Sequence, residues 1–384
     1  MSLKKFTSLA AAAVVVMLTS AICRGAEEIR VGALLALSGP AAFLGSPEQK
    51  ALRLIVDQMN AKGGIDGHSI KLIVYDTEGN STNAGQQFRR LAESESVAVI
   101  VGPSTTGESL AIKPIANELK VPTITLAGAE AVVVPPTRYV FKTPPTDRVV
   151  ARHMLGYFKQ HGLATIGLLS SADGFGQTGA NMIAELAPSY GITINAKEEF
   201  GPRDTDMTAQ VLKIRDSGAD AMLIWSVNPG PTIILRNAKA VGYNKPIFNS
   251  YGGATQQLIT QAGDAAEGTY VSSMRLLAPE AVPTNDPIHD IVNKIATDYQ
   301  KKFGEAAPTF AAHTYDAMLI IDAAVKKIKG PITRDAIADA IPTVELPGGN
   351  GYFRFSATDH NGIDESSKPM VMMRVKNGSW IVVE

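Results

Sequence analysis

The sequence is poor in cysteine, in aromatic residues and in net charge. Cys23 is the only cysteine of 384 residues. It lies in an N-terminal segment that we expect to be removed, so the mature chain has neither a disulfide framework nor a thiolate metal site. Aromatic residues make up 6% of the chain, the formal net charge is −1, and no basic block is present. These absences argue against nucleic acid as a partner.

Common catalytic and metal-binding motifs are also missing. The sequence contains no GxSxG, no GxxxxGK[ST] and no HExxH, and its six histidines form no close pair at metal-ligand spacing. We therefore predict no metal site, no catalytic residues and no enzyme activity. A secreted hydrolase whose residues converge only in three dimensions stays open as an alternative.

One glycine pattern resembles a cofactor motif. Gly174–Gly179 matches GxGxxG, and Glu199 follows about twenty residues later, where a ribose-binding acid is found in dinucleotide sites. Residues 170–173 separate the first glycine from the predicted strand, and an exported protein has no dinucleotide pool. We expect no cofactor here.

The N-terminus has the layout of a secretory signal. Lys4 and Lys5 precede an uncharged apolar run from Leu9 to Leu18, which is too short to span a bilayer. We predict a signal peptide over residues 1–26, with cleavage after Gly25 or Ala26, and hence a periplasmic protein. Lipid anchoring at Cys23 is disfavoured because Ile22 precedes it.

The rest of the chain alternates short β-rich runs with segments of helical period. Ile29–Leu37 and Ile70–Asp76 read as strands around a helix at Pro47–Asn60, and the alternation continues past a break at Pro144 and Pro145. Such alternation predicts parallel sheets covered on both faces. About 358 mature residues suggest two α/β lobes, each a doubly wound parallel sheet.

A hydroxyl-rich loop, Gly102–Gly107, follows the predicted strand at Val97–Val101 and precedes a helix. Its hydroxyls and free N–H groups would lie at the positive end of that helix, where carboxylates and other anions bind. Ordinary N-capping by serine or threonine explains the same residues equally well.

The order and spacing of several segments resemble the leucine/isoleucine/valine-binding proteins, the type I solute receptors of ATP-binding-cassette importers. The segments are Leu37-Ser38-Gly39-Pro40 through Leu44-Gly45, Asn60-Ala61-Lys62-Gly63-Gly64-Ile65, Val101-Gly102-Pro103, Val121-Pro122-Thr123-Ile124, Asp173-Gly174-Phe175-Gly176 and Asp204-Thr205-Asp206-Met207-Thr208. The resemblance implies a three-crossover hinge, with residues 27–143 and 274–366 in one lobe and residues 144–273 and 367–384 in the other. It further implies a solute site between the lobes and importer permease and ATPase subunits as partners.

The resemblance also implies positions for the ligand contacts. They are Leu44, Ser104, Thr105, Thr106, Ala127, Gly128, Ala129, Phe175, Val227, Tyr251 and Phe310. The acid that normally meets a ligand ammonium group corresponds to Tyr251, a nearby tyrosine to Val227, and a threonine to Ala129. We therefore expect an organic acid without an amino group, aromatic or aliphatic, bound by a monomer. A branched-chain or other amino acid and a ligand-sensing role in signalling are the alternatives.

Overall fold

The computed structural model describes residues 28–201, 203–227 and 229–383. The predicted signal peptide and Cys23 lie outside the described residues. None of the described helices is long and apolar enough to cross a membrane.

Strands and helices alternate along most of the described chain. The strands are β1 (Ile29–Leu35), β2 (Ile70–Asp76), β3 (Val99–Val101), β4 (Thr123–Thr125), β5 (Val140–Lys142), β6 (Thr165–Ser171), β7 (Thr193–Phe200), β8 (Ala221–Trp225), β9 (Ile247–Asn249), β10 (Tyr270–Met274), β11 (Glu345–Pro347), β12 (Tyr352–Arg354), β13 (Met370–Lys376) and β14 (Ser379–Val382). The helices are α1 (Ala42–Ala61), α2 (Ser81–Arg89), α3 (Thr106–Glu118), α4 (Asp147–Gln160), α5 (Gly174–Leu186), α6 (Thr208–Asp216), α7 (Gly230–Ala240), α8 (Gln256–Ala262), α9 (His289–Phe303), α10 (Ala311–Val325) and α11 (Arg334–Ala340).

Two large sheets form the centres of two lobes. The first sheet has the order β2-β1-β3-β4-β5 with all pairs parallel. The second has the order β14-β13-β10-β9-β8-β6-β7. Its strands β6 to β10 are parallel, whereas β13 and β14 join the edge antiparallel. The predicted α/β fold with parallel-sheet lobes is confirmed, with an antiparallel edge that the sequence pattern did not predict.

Each sheet is buried on both faces. In the first sheet Val31 and Ala33 pack in a core with α1, α9 and α10, whereas Leu34 points to the opposite face and packs with α2 and α3. In the second sheet Leu168 packs with α4 and α5, and its neighbour Leu169 packs with α6 and α7. This alternation is what a parallel sheet covered by helices on both sides requires.

The chain passes between the two lobes more than once. It leaves the first sheet after β5 and enters the second with α4 and β6. After β10, helices α9 to α11 pack in the same hydrophobic core as the first sheet, and β13 then rejoins the second. This course supports the proposed assignment of residues 27–143 and 274–366 to one lobe and of residues 144–273 and 367–384 to the other.

Helix α1 begins before the predicted start at Pro47. It starts at Ala42, so Pro47 lies inside the helix. The first turn can approach β1 because Gly45 has no side chain: a Cβ there would lie 2.1 Å from the carbonyl oxygen of Ala36. The early start carries Phe43 and Leu44 into the space between the lobes.

Candidate ligand site in the interlobe cleft

A cavity of about 480 Å³ lies where the carboxyl ends of the strands of both sheets face each other. Ten of the eleven residues predicted as ligand contacts line it: Leu44, Ser104, Thr105, Thr106, Ala127, Gly128, Phe175, Val227, Tyr251 and Phe310. The structure places the eleventh, Ala129, away from the cavity. Ala129 is fully buried and packs with Val132 and Val133 in the core of the first lobe.

The N-terminus of α3 points at the cavity, but not all of its hydroxyl groups are free for a ligand. Thr105 and Glu108 form a capping box, in which the Thr105 hydroxyl donates to the Glu108 carboxylate at 2.7 Å and accepts from the Glu108 N–H at 3.3 Å. The Thr105 hydroxyl therefore caps α3, while Thr105 itself lines the cavity. Helix geometry still leaves the N–H groups of Thr106 and Gly107 without an intrahelical acceptor.

The N-terminus of α5 faces the same space from the second lobe. Asp173 caps this helix by accepting from the Gly176 N–H at 2.8 Å. A Cβ built on Gly174 would lie 3.3 Å from the backbone nitrogen of Gly107, so the two helix N-termini almost touch across the cleft. Their dipoles both favour negative charge between the lobes.

Glycines of the GxGxxG pattern allow α5 to approach both α3 and its own sheet. Strand β6 runs to Ser171 and α5 begins at Gly174, so the first glycine does lie at the strand-to-helix turn. The expectation that residues 170–173 separate this glycine from the strand was wrong, because residues 170 and 171 belong to β6. A Cβ at Gly176 would meet Ser171, and one at Gly179 would lie 1.8 Å from the indole nitrogen of Trp225. Two of the glycines therefore let α5 pack closely on its own sheet.

Ser104 is a buried polar residue directly before the N-terminus of α3. Its hydroxyl oxygen accepts from the Ala36 N–H at 3.1 Å and lies 2.5 Å from Oε2 of Glu48, which α1 carries. Glu48 is fully buried. Burial raises the pKa of the Glu48 carboxyl well above its usual range; the hydrogen bond with Ser104 opposes this shift and the charge of Glu108 adds to it.

His313 on α10 lies beside Glu48, with its Nδ1 3.7 Å from the Glu48 Oε1 atom. Among the described residues, neither ring nitrogen of His313 nor Oε1 of Glu48 has a hydrogen-bond partner. Burial lowers the pKa of His313 to about 3, and the charge of Lys142 contributes to the decrease. Burial thus favours the neutral form of His313, which lines the cavity.

Lys142 supports the loop after β4 from behind. Its ammonium nitrogen donates to the carbonyl oxygens of Gly128 at 2.7 Å and Pro145 at 3.3 Å. Burial lowers the pKa of Lys142 to about 7, although the nearby charges of Asp147, Glu130 and Asp359 act in the opposite direction. Lys142 thus fixes Gly128 at the edge of the cavity.

Aromatic side chains of the second lobe form the opposite wall. The rings of Phe175 and Tyr251 meet edge to face with centroids 5.5 Å apart. Both pack with Leu44 of the first lobe in one hydrophobic cluster. A Cβ at Gly128 would lie 1.9 Å from the Tyr251 hydroxyl oxygen, so the lobes are closed onto each other around the cavity.

Charged side chains near the cavity are few. Arg148 pairs with Glu130 and Glu185, and Arg275 pairs with Asp286, so these two arginines have acidic partners. Among the described residues, the acidic and basic side chains that line the cavity are Glu78, Asp173 and Arg203, together with the imidazole of His313. Among the described residues, no group of three His, Cys, Asp or Glu side chains could hold a metal ion.

Sequence reasoning missed Glu48, His313, Lys142, Asp173 and Arg203. Glu48 had a detectable signal, because it lies at i+4 from Leu44 and i−4 from Leu52 on the apolar stripe of α1. His313 likewise lies in a helix that is otherwise buried and mainly apolar. A charged or polar residue on such a stripe needs a partner or a function.

The site and fold are those of a two-lobed solute receptor. The chain belongs to the periplasmic binding protein family, which it matches over residues 28–379. This is a family of solute-binding receptors rather than of enzymes.

Similar proteins include "Leu/Ile/Val-binding protein homolog 7" of Brucella abortus (strain 2308), 26% identical over 93% of this chain and 91% of the relative. An extracellular ligand-binding receptor from Rhodopseudomonas palustris HaA2 has a TM-score of 0.85 at 28% identity, over 92% of this chain and 99% of its own. The substrate-binding protein LivJ of Streptococcus pneumoniae, solved with isoleucine, has a TM-score of 0.82 at 26% identity, over 93% and 99%.

Proposed function

We propose that this chain is the extracytoplasmic receptor of an ATP-binding-cassette importer and binds a small organic carboxylate between its lobes. The observation that carries the proposal is the convergence of the α3 and α5 N-termini on one cavity beside Ser104. Free N–H groups at two helix N-termini stabilise an anion without a metal ion or a lysine. A cavity of about 480 Å³ is of a size that encloses a small molecule.

The second-lobe wall favours an acid without an amino group. Tyr251 and Val227, which correspond to the amine-side positions of amino-acid receptors, are neutral and line the cavity. Without a carboxylate partner, a buried ammonium group would lack a charge-assisted hydrogen bond that contributes about 1.5–3 kcal/mol. The rings of Phe175 and Tyr251 instead suit an aromatic or aliphatic body.

An amino acid is the second candidate, and Asp173 favours it. This carboxylate lines the cavity from the second lobe, and only its Oδ1 atom is used in capping α5. Relatives carry the name Leu/Ile/Val-binding protein, and LivJ was solved with isoleucine. For this candidate, Oδ2 of Asp173 would accept a hydrogen bond from the ligand ammonium group.

Pairs of ligands that differ only in the α-amine distinguish the two candidates. Titration calorimetry would compare 4-methylpentanoate with leucine, and 3-phenylpropanoate with phenylalanine, after a thermal-shift screen that includes benzoate. We expect the amine-free member of a pair to bind at least about tenfold more tightly, which is about 1.4 kcal/mol. Tighter binding of leucine than of 4-methylpentanoate would contradict the proposal.

Asp173→Asn is the matched control variant. Asparagine caps a helix as well as aspartate, so α5 stays intact while the charge is removed. Under the proposal, the variant binds 4-methylpentanoate no more weakly than the wild type. A selective loss of leucine affinity in the variant would support the amino-acid candidate.

The receptor role also implies a location and partners. We propose that residues 1–26 direct export to the periplasm and that a monomer delivers the solute to permease and ATPase subunits. The match to the periplasmic binding protein family supports this location.

A further inference from the structure

The buried contact between Ser104 and Glu48 determines which atom carries a proton. The two oxygens are 2.5 Å apart, so one of them must donate to the other. A serine hydroxyl has one proton and two lone pairs, and the Ala36 N–H already occupies one lone pair of Ser104. A proton on Oε1 of Glu48 would have no acceptor within hydrogen-bond distance among the described residues. Two arrangements of the remaining Ser104 proton and lone pair are therefore available.

In the first arrangement Glu48 is ionised and the Ser104 hydroxyl donates to it. Ser104 then offers the cavity a lone pair and no proton, and an uncompensated negative charge lies directly behind it. Both features repel a ligand carboxylate. In the second arrangement Glu48 is protonated and donates to Ser104, so the Ser104 proton is free to donate to an anion in the cavity.

We infer that Glu48 holds a proton whenever the cleft binds a carboxylate, and that it is the positioning residue that turns Ser104 into a donor. This inference rests on the proposed carboxylate ligand and adds the protonation state of Glu48 that lets Ser104 donate a hydrogen bond to it. The Glu48 proton stays on Oε2, and the Ser104 hydroxyl proton is directed at the ligand carboxylate.

The surroundings of Glu48 fit the neutral form. Glu48 is fully buried, and its Oε1 atom has no hydrogen-bond partner among the described residues, whereas an isolated buried carboxylate would be strongly destabilising. The charged and titratable groups facing it are Glu108 on α3, His313 on α10 and Tyr251 of the second lobe. Glu108 disfavours ionisation of Glu48.

Among the described groups that face Glu48, His313 alone could act as a counter-ion. It lies 3.7 Å from Glu48, longer than a hydrogen bond, and burial together with Lys142 lowers its pKa to about 3. A His313–Glu48 ion pair is the arrangement that would overturn the inference. The experiment must therefore detect the proton on Glu48 itself.

Infrared difference spectroscopy of the folded protein with saturating 4-methylpentanoate provides this readout. A protonated carboxyl group has a carbonyl stretch well separated from carboxylate bands. We expect one such band at neutral pH that disappears in Glu48→Gln and persists in Asp57→Asn, an exposed position on the same helix. An unchanged set of carboxylic-acid bands in E48Q would show that Glu48 is ionised and overturn the inference.

A second variant keeps the test informative if E48Q does not fold. Ser104→Ala removes the hydrogen-bond partner of Glu48, so the same band should shift in frequency; no shift would contradict the assignment.

The affinity of the wild type for 4-methylpentanoate should also fall up to tenfold per pH unit once the pH exceeds the pKa of Glu48, and E48Q should lack this dependence. If the affinity of the wild type and that of E48Q fall equally with rising pH, the inference is overturned.

Failure of this inference differs from failure of the proposed function. If no carboxylate binds in the calorimetric comparison, the proposed ligand class is wrong. If 4-methylpentanoate binds but Glu48 is ionised in the complex, only the inference about the proton is wrong.

Discussion

At Gly128 the first lobe lies close to the aromatic wall of the second. The carbonyl oxygen of Gly128 is held by Lys142, so it cannot move away easily. Because a Cβ there would lie 1.9 Å from the Tyr251 hydroxyl oxygen, a side chain at this position opposes closure of the cleft.

Gly128→Ala should therefore weaken ligand binding, by roughly tenfold or more, which corresponds to about 1.4 kcal/mol. The open form need not be destabilised. Calorimetry with 4-methylpentanoate would measure the loss, and Tyr251→Phe in the G128A background should restore part of the affinity by removing the clashing oxygen. Unchanged affinity in G128A would show that the closed arrangement is not the binding form.

His153 makes stability depend on pH. Its Nδ1 lies 2.8 Å from the Ser272 hydroxyl, and burial lowers its pKa to about 4. Between about pH 4 and 6.5 the unfolded chain binds more protons than the native one at this residue. The stabilisation is therefore complete above pH 6.5 and is lost as the pH falls towards 4.

His153→Asn should reduce this acid sensitivity, because asparagine retains a polar atom for Ser272 without titrating. Urea unfolding at pH 7 and at pH 4 should show a smaller loss of stability in the variant, by at most about 3 kcal/mol. His161→Asn, at an exposed position, is the control and should leave the loss nearly unchanged. An equal loss in H153N would contradict the role given to His153.

Most of the residues that line the cavity were predicted through the family resemblance, both inside and outside its quoted segments. Leu44 and Phe175 lie inside those segments, Val227 and Tyr251 lie outside them, and all four line the cavity. Glu48 and His313 meet only through the packing of α1 against α10, which local sequence does not encode. The opposite error occurred at Ala129, which neighbours two lining residues but points into the core.

Helix α5 is the element that brings the second lobe to the cavity. Its N-terminus faces α3 across the cleft, and its body packs on β8 through Gly179 and Trp225. The distance between α5 and β8 therefore determines where Phe175 and Asp173 lie.

Gly179→Ala should lower stability, because the new Cβ would lie 1.8 Å from the Trp225 indole nitrogen. Such overpacking costs typically about 1–3 kcal/mol. Gly156→Ala on α4 is the matched control, since a Cβ there meets nothing within 4 Å. It should be neutral or stabilising by about 0.5–1 kcal/mol in urea unfolding. Similar stability of the two variants would contradict the close packing of α5.

Elements with a clear apolar run or period were predicted, whereas some short elements were missed. The strand predicted at Ile70–Asp76 has those bounds in the structure, and the one predicted at Val97–Val101 spans Val99–Val101. Strand β5 was missed because its three residues, beside a proline-rich turn, are too few to show a periodicity. It forms as a strand through its parallel pairing with β4. Helix α8 was missed for a similar reason, since it has only seven residues.

At the scale of the whole molecule, parallel topology gathers the helix N-termini of both lobes at one place. Helices that follow parallel strands begin at the carboxyl edge of their sheet, and the two edges face each other across the cavity. Alternation of strands and helices predicted this arrangement within each lobe. The relative placement of the lobes depends on long-range crossovers, which only the family resemblance indicated.

The central claim is that the closed cleft selects a small carboxylate without an amino group. Mass spectrometry of the solute released by denaturing the protein purified from its native host tests this claim most directly. We expect an organic acid that lacks an α-amine and that restores the closed form when added back to the ligand-free protein. Recovery of leucine, isoleucine, another amino acid or a neutral solute would contradict it.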